Sequence, residues 1–332
     1  MKNDFDECSE DSAKTWKVLN RYLGKSKSQN SNEITLHDEN GEILTDPKAV
    51  ANNLNSYFVG KRMKLAQKIP PSQTSIFKTM GPRLSSTITH ERICDDEVSK
   101  FIKELKTNKA YEGLSPKVIK WLEEALTPIL TKLFNKFLDI GKYPSSCKVA
   151  RVTALFKNGD KHDKDNYRPI SILSQLNKVF EKIIHSRLST FISENRLLTP
   201  SQYGFRKGHN TSHGITNLNE EIIRNLEKKR VCAALFIDLK SAFDTIDPKI
   251  LIKKLDHLGI RGKMLKVLDS YLQGRKQYVK NGDVESILLD VLIGVPQGSV
   301  LGPLLFIIYF NDIVKCSKLS SVLFADPHAS IP

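Results

Sequence analysis

Between residues 294 and 303 the chain reads Gly294-Val295-Pro296-Gln297-Gly298-Ser299-Val300-Leu301-Gly302-Pro303. An apolar run lies on either side of this loop. Upstream, Val231-Cys232-Ala233-Ala234-Leu235-Phe236-Ile237 ends in Asp238; downstream, Ser321-Val322-Leu323-Phe324-Ala325 ends in Asp326. A continuous apolar run bounded by turn signals reads as a strand buried on both faces. Each segment therefore sets one carboxylate at the end of a buried strand. That is costly unless the carboxylate is paired, hydrogen-bonded or bound to a cation. Were the two strand ends to lie side by side, their like charges would call for a hard divalent cation such as Mg²⁺. A pair of such ions can hold the attacking and leaving oxygens of a phosphoryl transfer. The glycines of the intervening loop allow close backbone approach to a ligand, and the helix after it offers N-terminal N–H groups. Taken singly, each aspartate also reads as a strand-end turn residue, and the Gly/Pro cluster as a strand-to-helix turn.

Outward from these segments, helices alternate with strands. Val152–Phe156 reads as a strand. Leu176, Val179, Phe180, Ile183, Ile184, Leu188, Phe191 and Ile192 recur at helical spacing. Asp247-Pro248 caps and opens a helix, since proline at the first helical position forgoes only an N–H that lacks a partner anyway. Tyr278–Lys280 and Ile287–Ile293 flank the turn Asn281-Gly282-Asp283 as a hairpin, and Leu301–Ile313 is helical. In the first half, Ile34–Leu36 and Glu42–Leu44 form a small hairpin about Asn40-Gly41. A helix from Pro47 to about Ile69 carries Val50, Leu54, Phe58 and Leu65 on one side. Pro70–Ser86 is a loop, Asp95 is the N-cap of a further helix, and a helical hairpin spans Ser115–Ile140. The class is α+β, with residues 1–30 a flexible N-terminal segment.

Composition narrows the chemistry. The 332 residues carry 51 Lys plus Arg against 37 Asp plus Glu, a formal charge of +14. From Gly141 to Asn210 there are 13 basic and 5 acidic residues, interleaved with Phe156, Tyr167, Tyr203 and Phe205. That is the footprint of a nucleic-acid binder, or else a solvated basic face. Five scattered cysteines with no C-x-x-C pair exclude a disulfide scaffold and a cysteine zinc site. The longest nearly unbroken apolar stretch, Val300–Phe310, is too short to span a bilayer, so no membrane partner is expected. The acidic start Met1–Ser12 is no secretory signal, which points to an intracellular protein with nucleus or cytoplasm left open.

The ordered blocks together resemble the reverse transcriptases of non-LTR, LINE-like retrotransposons, the jockey type in particular. They are Leu155-Phe156-Lys157-Asn158-Gly159-Asp160, Asn166-Tyr167-Arg168-Pro169-Ile170-Ser171, Gln202–Gly208, Asp238-x4-Phe243-Asp244, Gly294-x-Pro296-Gln297-Gly298 and Phe324-Ala325-Asp326. The likeness is densest from Leu133 to Asp326 and extends weakly back to Ile34.

The resemblance implies right-hand polymerase architecture: fingers and an incomplete palm, an antiparallel sheet backed by helices, over 133–332, with the thumb absent. Residues 31–132 would be a helical N-terminal extension. It implies RNA-directed DNA synthesis from dNTPs on an RNA template with a DNA primer and two Mg²⁺ ions, the endonuclease domain being absent from this chain. Asp238 and Asp326 would be catalytic metal ligands, with the Ile237 carbonyl joining them. Phe243 would screen the ribose 2′-OH, and Gln297 and Gly298 would lie near the incoming base pair. Arg168 and Lys178 would pair with the triphosphate. Gly204, Phe205, Arg206 and Lys207 would contact the template, whereas Asp244 and Asp247 read as turn and cap residues. Two departures stand out: Pro327 replaces the second aspartate of the family's F/Y-x-Asp-Asp, and Glu112-Gly113 stands where the family reads Asp-Gly. Pro327 brings no carboxylate and a fixed φ, so polymerisation by this chain is expected to be impaired. The alternatives are a non-catalytic nucleic-acid-binding relic and the product of a decayed gene.

Overall fold

The structure is a computed structural model that describes residues 33–324, apart from 39, 71–74, 90, 109–110, 240 and 318. The expected flexible segment 1–30 and the Asp326-Pro327 pair lie outside the described residues.

Chain order begins with a two-residue hairpin. β1 (Leu36–His37) pairs antiparallel with β2 (Ile43–Leu44), Leu36 opposite Leu44. Asp38 Oδ1 accepts from the backbone N–H of both Asn40 and Glu42 and so closes the turn. Helix α1 (Pro47–Gln67) follows, its first turn capped by Asp46, whose carboxylate accepts from the Ala49 N–H at 2.8 Å. Its buried stripe is Val50, Ala51, Leu54, Asn55, Phe58 and Arg62. The pattern holds through Phe58, but the next buried position is Arg62, with Leu65 only half-buried.

α2 (Asp95–Lys103) starts one residue earlier than expected: Cys94 takes the cap position and Asp95 the first turn. Asp95, Asp96 and Glu97 there still complement the positive end of the helix dipole. α3 (Pro116–Trp121) and α4 (Glu123–Ile140) meet at Leu122, and α4 ends on Gly141 in the left-handed conformation. β3 (Val149–Phe156), β4 (Tyr167–Ile172), α5 (Gln175–Glu194) and α6 (Thr211–Glu227) follow. After them come a 3₁₀ turn at Ala242–Asp244, α7 (Pro248–His257) and α8 (Gly262–Leu272). β5 (Arg275–Asn281), β6 (Val284–Glu285), β7 (Leu289–Val291) and α9 (Leu301–Phe310) complete the regular elements.

The larger sheet has the order β4-β3-β5-β6, with β7 also on β5. The sheet is mixed, whereas the family likeness implies an antiparallel one. β3 pairs antiparallel with β4, but parallel with β5, Val152 opposite Val279. A parallel neighbour requires a long crossover, and here the whole stretch from β4 to α8 supplies it.

Two apolar cores result. The larger joins α2 and α4 to α5, α7, α8 and α9, with Phe180 stacked between Phe134 and Tyr143. The smaller packs α1 and the β1–β2 hairpin on the sheet through Leu36, Leu54, Phe58, Val152, Tyr167 and Val279. Polar bolts secure α1. Asn55 donates to the Ile287 carbonyl at 2.8 Å and to Ser286 Oγ at 3.0 Å, and accepts from Gln277 Nε2 at 3.0 Å.

Two expected strands are absent. Residues 231–239 have no regular secondary structure, and their apolar side chains face outward: Val231 is 98% exposed, Phe236 83% and Ile237 73%. A strand needs neighbours for its N–H and C=O groups, and among the described residues none pairs with this segment. Ser321–Phe324 instead makes a single parallel bridge, Leu323 to Gln202, tied by Tyr203 N–H to Leu323 O and Leu323 N–H to Ser201 O.

Candidate nucleotide site

The loop Gly294–Val300 is held from three directions, and each contact traces to a sequence feature. The Gly294 and Val295 N–H groups donate to the carbonyls of Ile246 and Phe243, both at 2.9 Å, which ties the loop to the turn after Asp238. The Ser171 N–H, at the end of the Asn-Tyr-Arg-Pro-Ile-Ser block, donates to the Gln297 carbonyl at 2.8 Å. Gly298 has φ +110°, and a Cβ built there would lie 2.5 Å from the Ser171 carbonyl oxygen. Only glycine allows the loop to lie this close to β4. From below, the fully buried Glu181 of α5 caps α9: its Oε2 accepts from the Val300 N–H at 2.5 Å and the Leu301 N–H at 3.2 Å. The other oxygen accepts from Asn177 Nδ2 at 2.9 Å. Burial pushes the Glu181 carboxyl above the usual range, opposed by the charge of Arg275 and by the two N–H donors.

Above this loop sits an aromatic cluster. Phe243 stacks on Phe306 of α9 with ring centroids 5.0 Å apart, and Phe205 meets both edge-on at 5.8 and 6.4 Å. The offset and edge-on geometries are those favoured by ring quadrupoles, so the Phe243 plane is fixed by its neighbours. Asp244, the next residue, is 7% exposed and divides its oxygens. Oδ2 accepts from Gln297 Nε2 at 2.9 Å, and Oδ1 lies 2.9 Å from Arg62 Nε of helix α1. The latter contact has the distance of an ion pair without the alignment of a hydrogen bond. Burial drives the Asp244 carboxyl upward, and the cations Arg62 and Lys61 together with the Gln297 amide pull against it. A cavity with room for about one water lies between Arg62, Ser171, Arg275 and Gly294.

The structure thus brings Phe243, Gln297, Gly298 and Phe205 together. Arg168 lies on β4 three residues before Ser171, half-buried, and Lys178 lies on α5 one turn before Glu181. Burial lowers the Lys178 ammonium below its ordinary value, with Glu181 opposing. Gly204 and Arg206 are held by the fold of their own turn: the Gly204 carbonyl accepts from Gln202 Nε2 at 2.8 Å, and Arg206 donates to the Thr199 carbonyl at 3.2 Å. Lys207 is exposed. Phe324 packs on Tyr203 and against Gly214 of α6, so the chain leading to Asp326 runs beside the Gln202–Gly208 block. Asp247 caps α7 as expected, accepting from the Lys249 and Ile250 N–H groups. Asp238 and Ile237 are exposed, on the segment without regular structure. Carboxylate and carbonyl oxygens are the hard donors Mg²⁺ takes. Among the described residues, however, no three His, Cys, Asp or Glu side chains gather as a metal site.

Arg62 and Glu181 escaped the sequence reading. Each left the same trace, a charged residue on the apolar stripe of a helix: Arg62 four residues beyond Phe58, and Glu181 beside Phe180 and three residues before Ile184. A charge at a core position has a buried partner, and here both partners belong to the loop assembly.

Residues 157–327 match the reverse transcriptase (RNA-dependent DNA polymerase) family, and the chain belongs to that family. Within it, the chain is 30% identical over 290 residues to the probable RNA-directed DNA polymerase from transposon BS of Drosophila melanogaster, covering 86% of this chain and 32% of that one. It is 27% identical over 317 residues to the RNA-directed DNA polymerase from mobile element jockey of the same species, covering 92% and 33%. The jockey protein of Drosophila funebris is 32% identical over 222 residues, covering 66% and 24%. These relatives agree with the jockey-type, non-LTR likeness of the motifs. The chain spans about a third of the length of the relatives it covers most fully. No described helix is long and apolar enough to cross a membrane.

Proposed function

We propose that this chain carries the nucleotide-selecting part of an RNA-directed DNA polymerase of a non-LTR retrotransposon. The supporting observation is the clamped assembly of Phe243, Asp244, Gln297, Gly298 and Ser171, built from three separate blocks of the family-matched stretch. In this reading β3, β4 and α5 are fingers, and the 242–246 turn with the 294–310 loop and helix belongs to the palm. Residues 31–132 form the N-terminal extension.

The residues divide the work by their chemistry. The Phe243 ring, locked by Phe306, is a flat wall that tolerates a deoxyribose and collides with a 2′-OH. Gln297 has one amide N–H committed to Asp244, so its side chain presents a fixed face to the base pair. Arg168 offers a bidentate fork and Lys178 a point charge for the triphosphate. Burial makes the Lys178 ammonium costly without an anion, which favours a phosphate beside it. Gly204, Phe205, Arg206 and Lys207 follow the template, and Asp238, the Ile237 carbonyl and Asp326 are the groups that would hold Mg²⁺. Bound there, the metal supplies charge neutralisation for attack of a primer 3′-OH on the α-phosphate. Pro327 contributes no carboxylate to that set, which favours weak catalysis, and it is the observation behind a second reading, a nucleic-acid-binding relic.

Primer extension separates the two. With an RNA template, DNA primer, dNTPs and Mg²⁺, the polymerase reading expects slow extension that Asp238→Ala abolishes. Efficient extension would refute the impairment. Salt-sensitive RNA binding without any extension, unaltered by Asp238→Ala, would establish the relic.

A further inference from the structure

Helix α1 lies outside the family-matched stretch 157–327, yet one of its side chains reaches the centre of the candidate site. Arg62 is 4% exposed and occupies a position on the buried stripe that follows Val50, Leu54 and Phe58. An apolar residue there would suit the core, because a buried ion pair contributes little to stability compared with well-packed hydrophobic groups. What an arginine adds is a positive charge 2.9 Å from Asp244 Oδ1. Asp244 has its two oxygens divided between Arg62 Nε and Gln297 Nε2, each at 2.9 Å. Turning the carboxylate about its Cβ–Cγ bond would carry Oδ1 away from that charge, so the ion pair biases the orientation of the other oxygen and of the amide it binds. The helix that carries Arg62 is itself anchored, through Asn55 to Ile287, Ser286 and Gln277 and through Asn52 to Ile287.

We propose that Arg62 is a positioning residue for nucleotide selection: through Asp244 it sets the orientation of the Gln297 amide, making helix α1 a working part of the nucleotide site. The inference rests on the polymerase reading of that site and adds to it a residue that the family match does not contain. Arg62 need not touch the nucleotide.

The test uses the full chain labelled with ¹⁵N-glutamine, bound to an RNA template with a chain-terminated DNA primer. Two quantities are read: the Gln297 side-chain amide signal, assigned with Gln297→Ala, and the dissociation constants of matched and mismatched dNTPs. Arg62→Met is expected to move the amide signal toward that of free glutamine and to reduce discrimination about tenfold, the loss of one charge-assisted orientation. Arg62→Lys, which keeps the charge without the planar fork, falls between, and serves also if Arg62→Met does not fold. In a Gln297→Ala background Arg62→Met should change discrimination less than twofold, since the group it positions is gone. An unmoved amide signal, unchanged discrimination, or effects of the two substitutions that add in full would each overturn the proposal. Should the unsubstituted chain bind no dNTP, the polymerase reading fails. The positioning role falls with it, and an amide signal that still moved would mark Arg62 as an element of the fold alone.

Discussion

Gly298→Ala tests the geometry of the loop most directly. At φ +110° an L-residue is strained, and its Cβ would stand 2.5 Å from a backbone oxygen that cannot swing away, because Ser171 is paired with Val152 in the sheet. Strain at such a backbone position costs ~1–3 kcal/mol. Relieving the overlap costs about as much again, since it means parting the loop from β4 and losing the hydrogen bond from Ser171 to Gln297. The total is about 2–6 kcal/mol. Gly208→Ala is the matched control: its φ is +76°, but nothing lies within 4 Å of its Cβ, so only strain of ~1 kcal/mol applies. Urea unfolding followed by circular dichroism gives both values, with the slope m showing whether the transition is unchanged. A difference between the two variants below about 1 kcal/mol would refute the close approach of the loop to β4.

Two carboxylates should shape the pH dependence of stability in opposite senses. Asp312 is held below its ordinary value against the opposing effect of burial, by hydrogen bonds from Lys254 and Thr79, so its contribution is present above the unfolded value and lost as the pH falls through the folded one. Asp312→Asn should flatten that acid limb in thermal melts, and an unchanged limb would remove the ion pair from the account. Glu181, raised by burial, runs the other way: its contribution is present below the unfolded value and lost as the pH rises through the folded one. Glu181→Gln should remove that slope, and a slope that survived would show that Glu181 is not its source. Phe243→Ala should cost ~2 kcal/mol through its lost stack on Phe306, and should relax discrimination against ribonucleotides wherever incorporation or binding is measurable. Retained discrimination would mean that the ring is core and no filter.

Much of this was legible in the sequence, for identifiable reasons. The hairpin at Asn40-Gly41, the Asp247-Pro248 helix start and the long α5 depend on local chemistry, and each forms as its residues dictate. The Gly294–Gly302 loop was legible because glycine marks a close approach even when the partner is unknown. The partner, Ser171, was not, since nothing in a sequence says which strand a loop will touch. Residues 231–237 failed for a related reason. An apolar run records what a segment could bury, whereas a strand also needs a neighbour for every N–H and C=O, and Leu323 is engaged with Ser201 and Tyr203 instead. Arg62 and Glu181 were hidden by averaging, because one charge among four or more apolar neighbours leaves the helical period intact.

These two residues also bear on where the working unit begins. The family-matched stretch starts at Lys157, but β3 ends at Phe156 and is the strand that joins β4 to β5. Without β3 the Ser171 end of β4 loses its ladder, and with it the support that presses the Gly298 loop into place. Helix α1 covers β5 and carries Arg62 to Asp244, while α2 and α4 supply Phe101, Ile102, Phe134 and Leu138 to the core in which Glu181 is buried. A carboxylate such as Glu181 can cap α9 from inside the protein only because those helices exclude water around it. The residues before 157 are therefore physically continuous with the site. They provide the low-dielectric surroundings and one of the charges on which its geometry depends.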